Sequence, residues 1–278
     1  MIKKLFLIFY DFGQQLKRDN ISAYASSTAF FFFLSIAPVL LVIGALITYT
    51  PLTEDMIVKA ATDILPDSMD VVAVNFIDQM YNIAGSILPI AIIVALWSAG
   101  KGMMGLQMGL NVAHGVVETR NFIIIRLQAS FYTLITLISI LLTFLFSLLT
   151  KNVVSYVEKI APRLMSILHF FHYYRFVFGC IILTILFTLI YTYVPNKKLK
   201  LIYQIPGAML CSIGWQVYSW GFSVYLQYFG GLSTYGSLST IIVIMFWLYF
   251  SMYLLLIGAN LNRYFKPVIQ VLYRKNER

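Results

Sequence analysis

Between Lys101 and Arg120 this chain of 278 residues carries Gln107, Asn111, His114 and Glu118. Their spacing of three and four residues lines one face of a helix. Met103, Leu106, Leu110, Ala113 and Val117 recur on the other face. Two amides, an imidazole and a carboxylate supply donors and acceptors without forming a nucleophile–base pair or a metal cage. The chemistry they suit is binding. A helix with so polar a side is excluded from bare lipid, so it either lies in a membrane interface or turns that side toward a water-filled cavity. In the cavity reading Lys101, Gln107, Asn111, His114, Glu118 and Arg120 face a substrate.

Other residue pairs are weaker. His169 and His172 stand three apart, but no third ligand accompanies them, and Cys180 and Cys211 have neither a CxxC partner nor nearby ligands. No metal or other cofactor is expected. No Walker A loop, nucleophile elbow or zincin motif is present.

The elements that must position the stripe are membrane helices. Six long stretches, Ser22–Tyr49, Ile83–Ala99, Phe122–Thr150, Phe176–Val194, Ile205–Phe229 and Ser237–Asn262, are apolar and, Arg126 near the start of the third aside, uncharged. Each reaches or approaches the ~20 residues a crossing helix needs. With 60% hydrophobic and 11% charged residues the chain cannot be a soluble globule. Ile135–Leu149 and Ile241–Leu256 are apolar on all sides, which excludes the alternation of a β-barrel. The expected fold is one polytopic all-α membrane domain over 1–278 with six transmembrane helices. An N-terminal interfacial helix (1–20) and an amphipathic helix after the second span complete it.

Charge fixes the expected orientation. With the N-terminus inside, the inner segments hold fifteen of the twenty basic residues, and the outer loops hold only Lys59, Lys151, Lys159, Arg163 and Arg175. Both termini are therefore expected in the cytoplasm. The net charge of +9 is spread over short juxtamembrane segments. Membrane lipids rather than nucleic acid are the expected partners. Residues 50–82 form an acidic outer loop whose apolar residues recur at helical spacing, suggesting two short amphipathic helices.

Two glycine patterns stand out. The second span carries Pro89 and ends in Trp97-Ser-Ala-Gly-Lys-Gly-Met-Met-Gly105, either an unwound site or a plain turn. In the fifth span Gly207, Gly214 and Gly221 are spaced by seven, a surface for close helix packing or for sliding.

Several blocks carry a resemblance. Ala29-Phe-Phe-Phe-Phe-Leu-Ser-Ile-Ala-Pro38, Leu110-Asn111 with Glu118 and Arg120, Pro206-Gly207-Ala208, Tyr235-Gly236-Ser237, Trp247-Leu-Tyr249 and Leu256-Ile-Gly-Ala-Asn260 occur in matching order. Together they resemble the YihY/BrkB-like bacterial inner-membrane proteins, formerly labelled ribonuclease BN-like, over essentially the whole chain. The resemblance implies a six-helix membrane protein. Where relatives carry glutamate in the last block this chain has Asn260, so a role resting on that carboxylate does not carry over.

Metal-dependent RNA hydrolysis needs clustered carboxylates or histidines. The inner face offers only Asp11, Asp19, Glu118, Glu277 and His114, which argues against an enzyme. The expected function is a transporter-like or flippase-like protein for a lipid or amphipathic substrate, working as a homo-oligomer or with an energising membrane partner. The alternative is a non-catalytic scaffold for envelope machinery.

Overall fold

The computed structural model describes residues 2–47, 53–62, 70–135, 175–229 and 237–266, and every regular element among them is helical. In order these are α1 (Ile2–Arg18), α2 (Ile21–Ile47), α3 (Glu54–Thr62), α4 (Asp70–Ala113), α5 (Phe122–Ile135), α6 (Arg175–Tyr193), a 3-10 turn at Leu201–Tyr203, α7 (Ile205–Phe229) and α8 (Ser237–Tyr264). Among the described residues four segments are long and apolar enough to cross a membrane: Ile21–Val39, Pro89–Ala113, Phe176–Tyr193 and Ile241–Tyr264. A shorter apolar helix, α5, coincides with the start of the third expected span, whose remainder lies outside the described residues. The fifth expected span forms α7 with the bounds read from sequence, but Trp215, Gln216, Tyr218 and Trp220 dilute its apolarity and it is not among the four. Among the described residues four to five apolar helices could thus span a membrane.

The glycine-rich end of the second span is not a break. A single helix of 44 residues runs from Asp70 through Pro89, Gly100, Gly102 and Gly105 to Ala113. The segment expected as a separate amphipathic helix is its last part. One of the two short helices expected in 50–82 is α3, and the second is the start of α4. Pro66, Asp67, His169 and His172 lie outside the described residues. The reason the glycines do not unwind α4 is packing. A Cβ on Gly102 would meet the Phe32 ring at 2.6 Å, one on Gly105 the Thr28 hydroxyl at 2.9 Å, and one on Gly109 Leu256 and Tyr24 at 3.0 Å. Glycine on that face admits neighbours that a side chain would exclude.

The chain forms two compact units. Unit 1 comprises Met1–Phe33, Gly102–Arg126 and Ser166–Arg278, and unit 2 comprises Leu34–Lys101 and Leu127–Met165. In unit 2, Val42, Ala91 and Ala95 form a small core that Val39 and Leu41 cover. In unit 1, α6 packs on α7 and α7 on α8, around Phe187, Tyr191, Ala208, Cys211, Leu255 and Ala259. Ile93, Ile182 and Trp220, by contrast, are more than 60% exposed. Large apolar side chains presented outward in this number suit hydrocarbon, not water. On α1, Phe6, Leu7, Phe9 and Tyr10 are exposed, while Phe12 meets Tyr264 edge-on at 5.5 Å.

The three glycines of α7 differ. Gly207 lies backbone-to-backbone against Gly258 of α8, so that a Cβ would collide with the Gly258 carbonyl and with Asn262. At Gly214 a Cβ would make an ordinary 3.6 Å contact with Leu254, and at Gly221 it would meet nothing. Close approach is confined to Gly207. Gly207→Leu is therefore expected to destabilise by on the order of 1–3 kcal/mol or more, lowering the thermal midpoint in detergent, while Gly221→Leu leaves it unchanged. Equal effects of the two would contradict the packing described.

Candidate functional site

The C-terminus of α4 builds the site. Gly115, at φ +64°, closes the helix by donating from its N–H to the Val112 carbonyl at 2.9 Å, and the Val116 N–H returns to the Asn111 carbonyl at 2.8 Å. This paired closure needs a left-handed residue, which glycine supplies without strain. The chain doubles back, and Glu118 arrives beneath Asn111. Asn111 Nδ2 donates to the Glu118 carboxylate at 2.6 Å. Arg120 donates to the same carboxylate from Nη2 at 2.6 Å, from Nε at 2.8 Å and from its backbone N–H at 3.0 Å. The hydrogen bonds from Arg120 outweigh the cost of desolvation and, with the Arg120 charge and Asn111, hold the Glu118 carboxyl down at about 2.

The other end of the Asn111 amide is also engaged. Its Oδ1 accepts the Asn196 N–H at 2.7 Å, and Asn196 Nδ2 donates to the Thr119 hydroxyl at 2.8 Å. Asn111 is a strut between the turn after α4 and the turn after α6. Arg263 of α8 braces the same end. Its guanidinium donates to the Val112 carbonyl at 3.0 Å and to Asp19 at 3.2 Å, and lies against Gly115. A cation over the last carbonyls of a helix opposes the negative end of its dipole.

Gln107 and His114 differ from Asn111. Gln107 is fully buried, and neither its Oε1 nor its Nε2 has a partner among the described residues. The His114 ring meets Tyr191 edge-on at 6.2 Å, and its buried Nε2 is likewise unpartnered. Burial first, then the charges of Arg263 and Lys266, lower the imidazole to about 4. His114 is therefore neutral at pH 7. Ser251 of α8 and Thr28 of α2 add two more buried hydroxyls without partners. In a water-poor interior each such group carries an uncompensated desolvation cost.

The stripe read from sequence is thus divided. Asn111 and Arg120 are both bonded to Glu118, the Gln107 amide and His114 Nε2 have no hydrogen-bond partner among the described residues, and Lys101 belongs to unit 2, exposed with its Nζ 5.7 Å from the Trp97 ring. Gln107 and Asn111 face neither an interface nor an open cavity, being 0% and 2% exposed. The sequence reading missed Asp19, Asn196, Ser251, Asn262 and Arg263. Asn262 accepts the Gly207 N–H at 2.7 Å and donates to the Gln204 carbonyl at 3.0 Å. Asn260, also fully buried, donates to the Leu256 carbonyl at 3.3 Å and accepts from Gln15 at 3.5 Å. A signal was available in the polar residues that interrupt otherwise apolar helices. Among the described residues no group of three or more His, Cys, Asp or Glu could hold a metal ion.

Comparison with known proteins follows the same lines. A family model described as "Virulence factor BrkB" matches residues 12–277. A ribonuclease-like protein of Bacillus subtilis, YfkH, is 34% identical over 86% of this chain and 87% of its own length. A UPF0761 membrane protein of Aeromonas salmonicida is 36% identical over 31% of each chain. One from Rhodospirillum centenum is 25% identical over 88% of this chain, which spans about half, 54%, of that relative. No solved structure matches.

Asn111→Ala strands the Asn196 N–H and removes one bond to Glu118, with an expected cost of about 1–3 kcal/mol. Gln107→Leu removes an amide that has no partner and is expected to leave the unfolding midpoint in detergent unchanged or raise it. Loss of similar size in both variants would contradict this division of the stripe. Acid gives a second test. Above pH 6.5, His114 is neutral folded and unfolded; as pH falls toward 4 the unfolded chain takes up the proton first, and stability is lost. Glu118 contributes in the same direction lower down, between its ordinary 4.5 and about 2. The midpoint should fall between pH 6.5 and 4, with a shallower slope in His114→Phe; an identical slope would contradict the buried neutral imidazole.

Proposed function

The chain belongs to the BrkB family of membrane proteins, and from that premise we propose that it is a transporter-like or flippase-like protein for a lipid or another amphipathic molecule. The observation that carries this reading is the fully buried, partnerless amide of Gln107 inside a bundle of membrane-length helices. A soluble protein can leave such a group to a trapped water, whereas a lipid-embedded bundle has few alternatives to a passing polar ligand or an opening to water. The struts at Asn111 and Arg263 then act as the latch that closes the seam at the end of α4. On the outer flank of α2 and α8, a groove of about 320 Å³ lined by Ser26, Ala29, Ile242, Met245, Phe246 and Tyr249 offers an apolar path for chains. An amphipathic substrate needs both surfaces.

In this proposal both termini and the latch are cytoplasmic, the membrane is the bacterial inner membrane, and movement is facilitated or driven by a second copy or an energising membrane partner. No acidic or basic side chain lies within Gly102–Ala113, Phe176–Tyr193 or Ile241–Asn262, which disfavours proton or sodium coupling through those helices. The ribonuclease-like name of the Bacillus subtilis relative does not move the proposal toward an enzyme. At the latch Glu118 is bound to Arg120 and Asn111 and is not free to hold a hydrated metal ion.

The test is reconstitution. Purified protein in liposomes is expected to make fluorescent lipids of the inner leaflet accessible to an impermeant quencher. Gln107→Leu and Asn111→Ala/Arg120→Ala are expected to slow that exposure at least about tenfold, equivalent to ~1.4 kcal/mol. Protein-independent exposure for every lipid would favour the scaffold alternative.

A further inference from the structure

The turn between α6 and α7 is held at both ends by buried amides. At its start the Asn196 N–H donates to Asn111 Oδ1 at 2.7 Å, and Asn196 Nδ2 donates to the Thr119 hydroxyl at 2.8 Å. At its end the Gln204 carbonyl and Gln204 Oε1 both accept from Asn262, at 3.0 and 3.1 Å. The N–H groups of Tyr203 and Gln204 donate to the carbonyls of Lys200 and Leu201 at 3.2 and 2.9 Å. A short segment tied at both ends samples few conformations, so a ligand that binds its side chains has little ordering left to impose.

Those side chains are of two kinds. Lys197, Lys198 and Lys200 are exposed, and none of the three makes a side-chain hydrogen bond or an ion pair among the described residues. Tyr193, Leu201 and Ile202 beside them are exposed as well, and Val117, whose carbonyl accepts from Asn196 Nδ2 at 3.4 Å, is 79% exposed. Position along the chain sets their depth. Phe176–Tyr193 is long and apolar enough to cross a membrane, and Lys197 follows Tyr193 by four residues. Residues just past the end of such a helix lie at the level of the lipid head groups. There a lysine reaches phosphate while apolar neighbours rest on the acyl chains.

The positive charge of the turn is unopposed. The acidic residues of unit 1 among those described are Asp11, Asp19 and Glu118. Glu118 is engaged by Arg120 and Asn111, Asp19 pairs with Arg263, and Asp11 is exposed on α1. Three unpaired cations within four positions repel one another, and an anion bound among them relieves that repulsion.

We infer that this turn is a binding site for the phosphate of an anionic phospholipid, whose acyl chains lie along the exposed apolar residues that flank the lysines. Free phosphate or an acidic protein segment matches the charge but leaves the apolar flank unused, whereas a lipid uses both. The inference does not rest on the transport reading, because a lipid held at this turn is bound and not moved.

The full-length protein, purified in an uncharged detergent, is titrated with phosphatidylglycerol, phosphatidylcholine, glycerol 1-phosphate or polyglutamate while its thermal midpoint is followed. A ligand that binds only the folded protein raises that midpoint. Phosphatidylglycerol is expected to raise it and the other three to leave it in place. In Lys197→Gln/Lys198→Gln/Lys200→Gln the amount of phosphatidylglycerol needed for half the effect is expected to rise on the order of a hundredfold, at roughly fivefold per lysine. The corresponding triple arginine variant keeps the response, and so does Lys17→Gln/Arg18→Gln, which removes two exposed charges from α1. All variants are checked for unchanged elution and helicity. An equal loss in the α1 variant means that charge acts diffusely, and it overturns the site. A midpoint unmoved by phosphatidylglycerol, or raised as much by phosphatidylcholine, overturns it too. Glycerol 1-phosphate or polyglutamate matching phosphatidylglycerol overturns the lipid assignment and gives the turn to a soluble anion or an acidic partner.

Discussion

Burying an amide inside a membrane-spanning bundle removes the water that would otherwise satisfy it, so each buried Asn or Gln must find a protein partner or carry the cost. Unit 1 is arranged around those that do, Gln204 among them as acceptor from Asn262 at 3.1 Å. Asn111 binds the turn after α4 to the turn after α6, Asn262 fixes α8 to the entry of α7, and Asn260 is shared between its own helix and Gln15 of α1. The glycine contact between Gly207 and Gly258 lies beside Asn262. Without that close approach Asn262 could not reach the Gly207 N–H. Packing and polar satisfaction thus fix the same helix pair.

Against that pattern, Gln107 is the exception. It has the same side-chain chemistry and at least the same burial as Asn111, yet no bond. In a fold where neighbouring amides are matched, the unmatched one is the position our proposal gives to the substrate. Its face is that of His114, which burial and two cations keep neutral. The end of α4 carries the Glu118–Arg120 pair, and Arg126 reaches Met104 one turn before Gln107.

Much of this was legible in the sequence. The bounds of α7 coincide with the span read from hydropathy, and α2, α6 and α8 depart from theirs by only a residue or two at the ends that are described. The polar stripe was legible as a period. What failed had a common cause, because a single helix does not announce its neighbours. Gly102 and Gly105 read as a break because glycine is a poor helix former, but Phe32 and Thr28 occupy the space they leave. Gly207, Gly214 and Gly221 look equivalent by spacing, and only Gly207 has a glycine opposite it. The pairing of Glu118 with Arg120, which Gly115 brings about by folding the chain back, was likewise not legible in the spacing.

The central claim is that the Gln107 face of α4 opens to water during the working cycle while the rest of the helix stays packed. Cysteine accessibility tests it most directly. With Cys180 and Cys211 replaced by alanine, Gln107→Cys and Leu110→Cys, both buried at 0% exposure on different faces, are treated in membranes with a membrane-impermeant thiol reagent. The account predicts slow modification at position 107 and none at 110. Position 107 remaining as inert as 110 would contradict it.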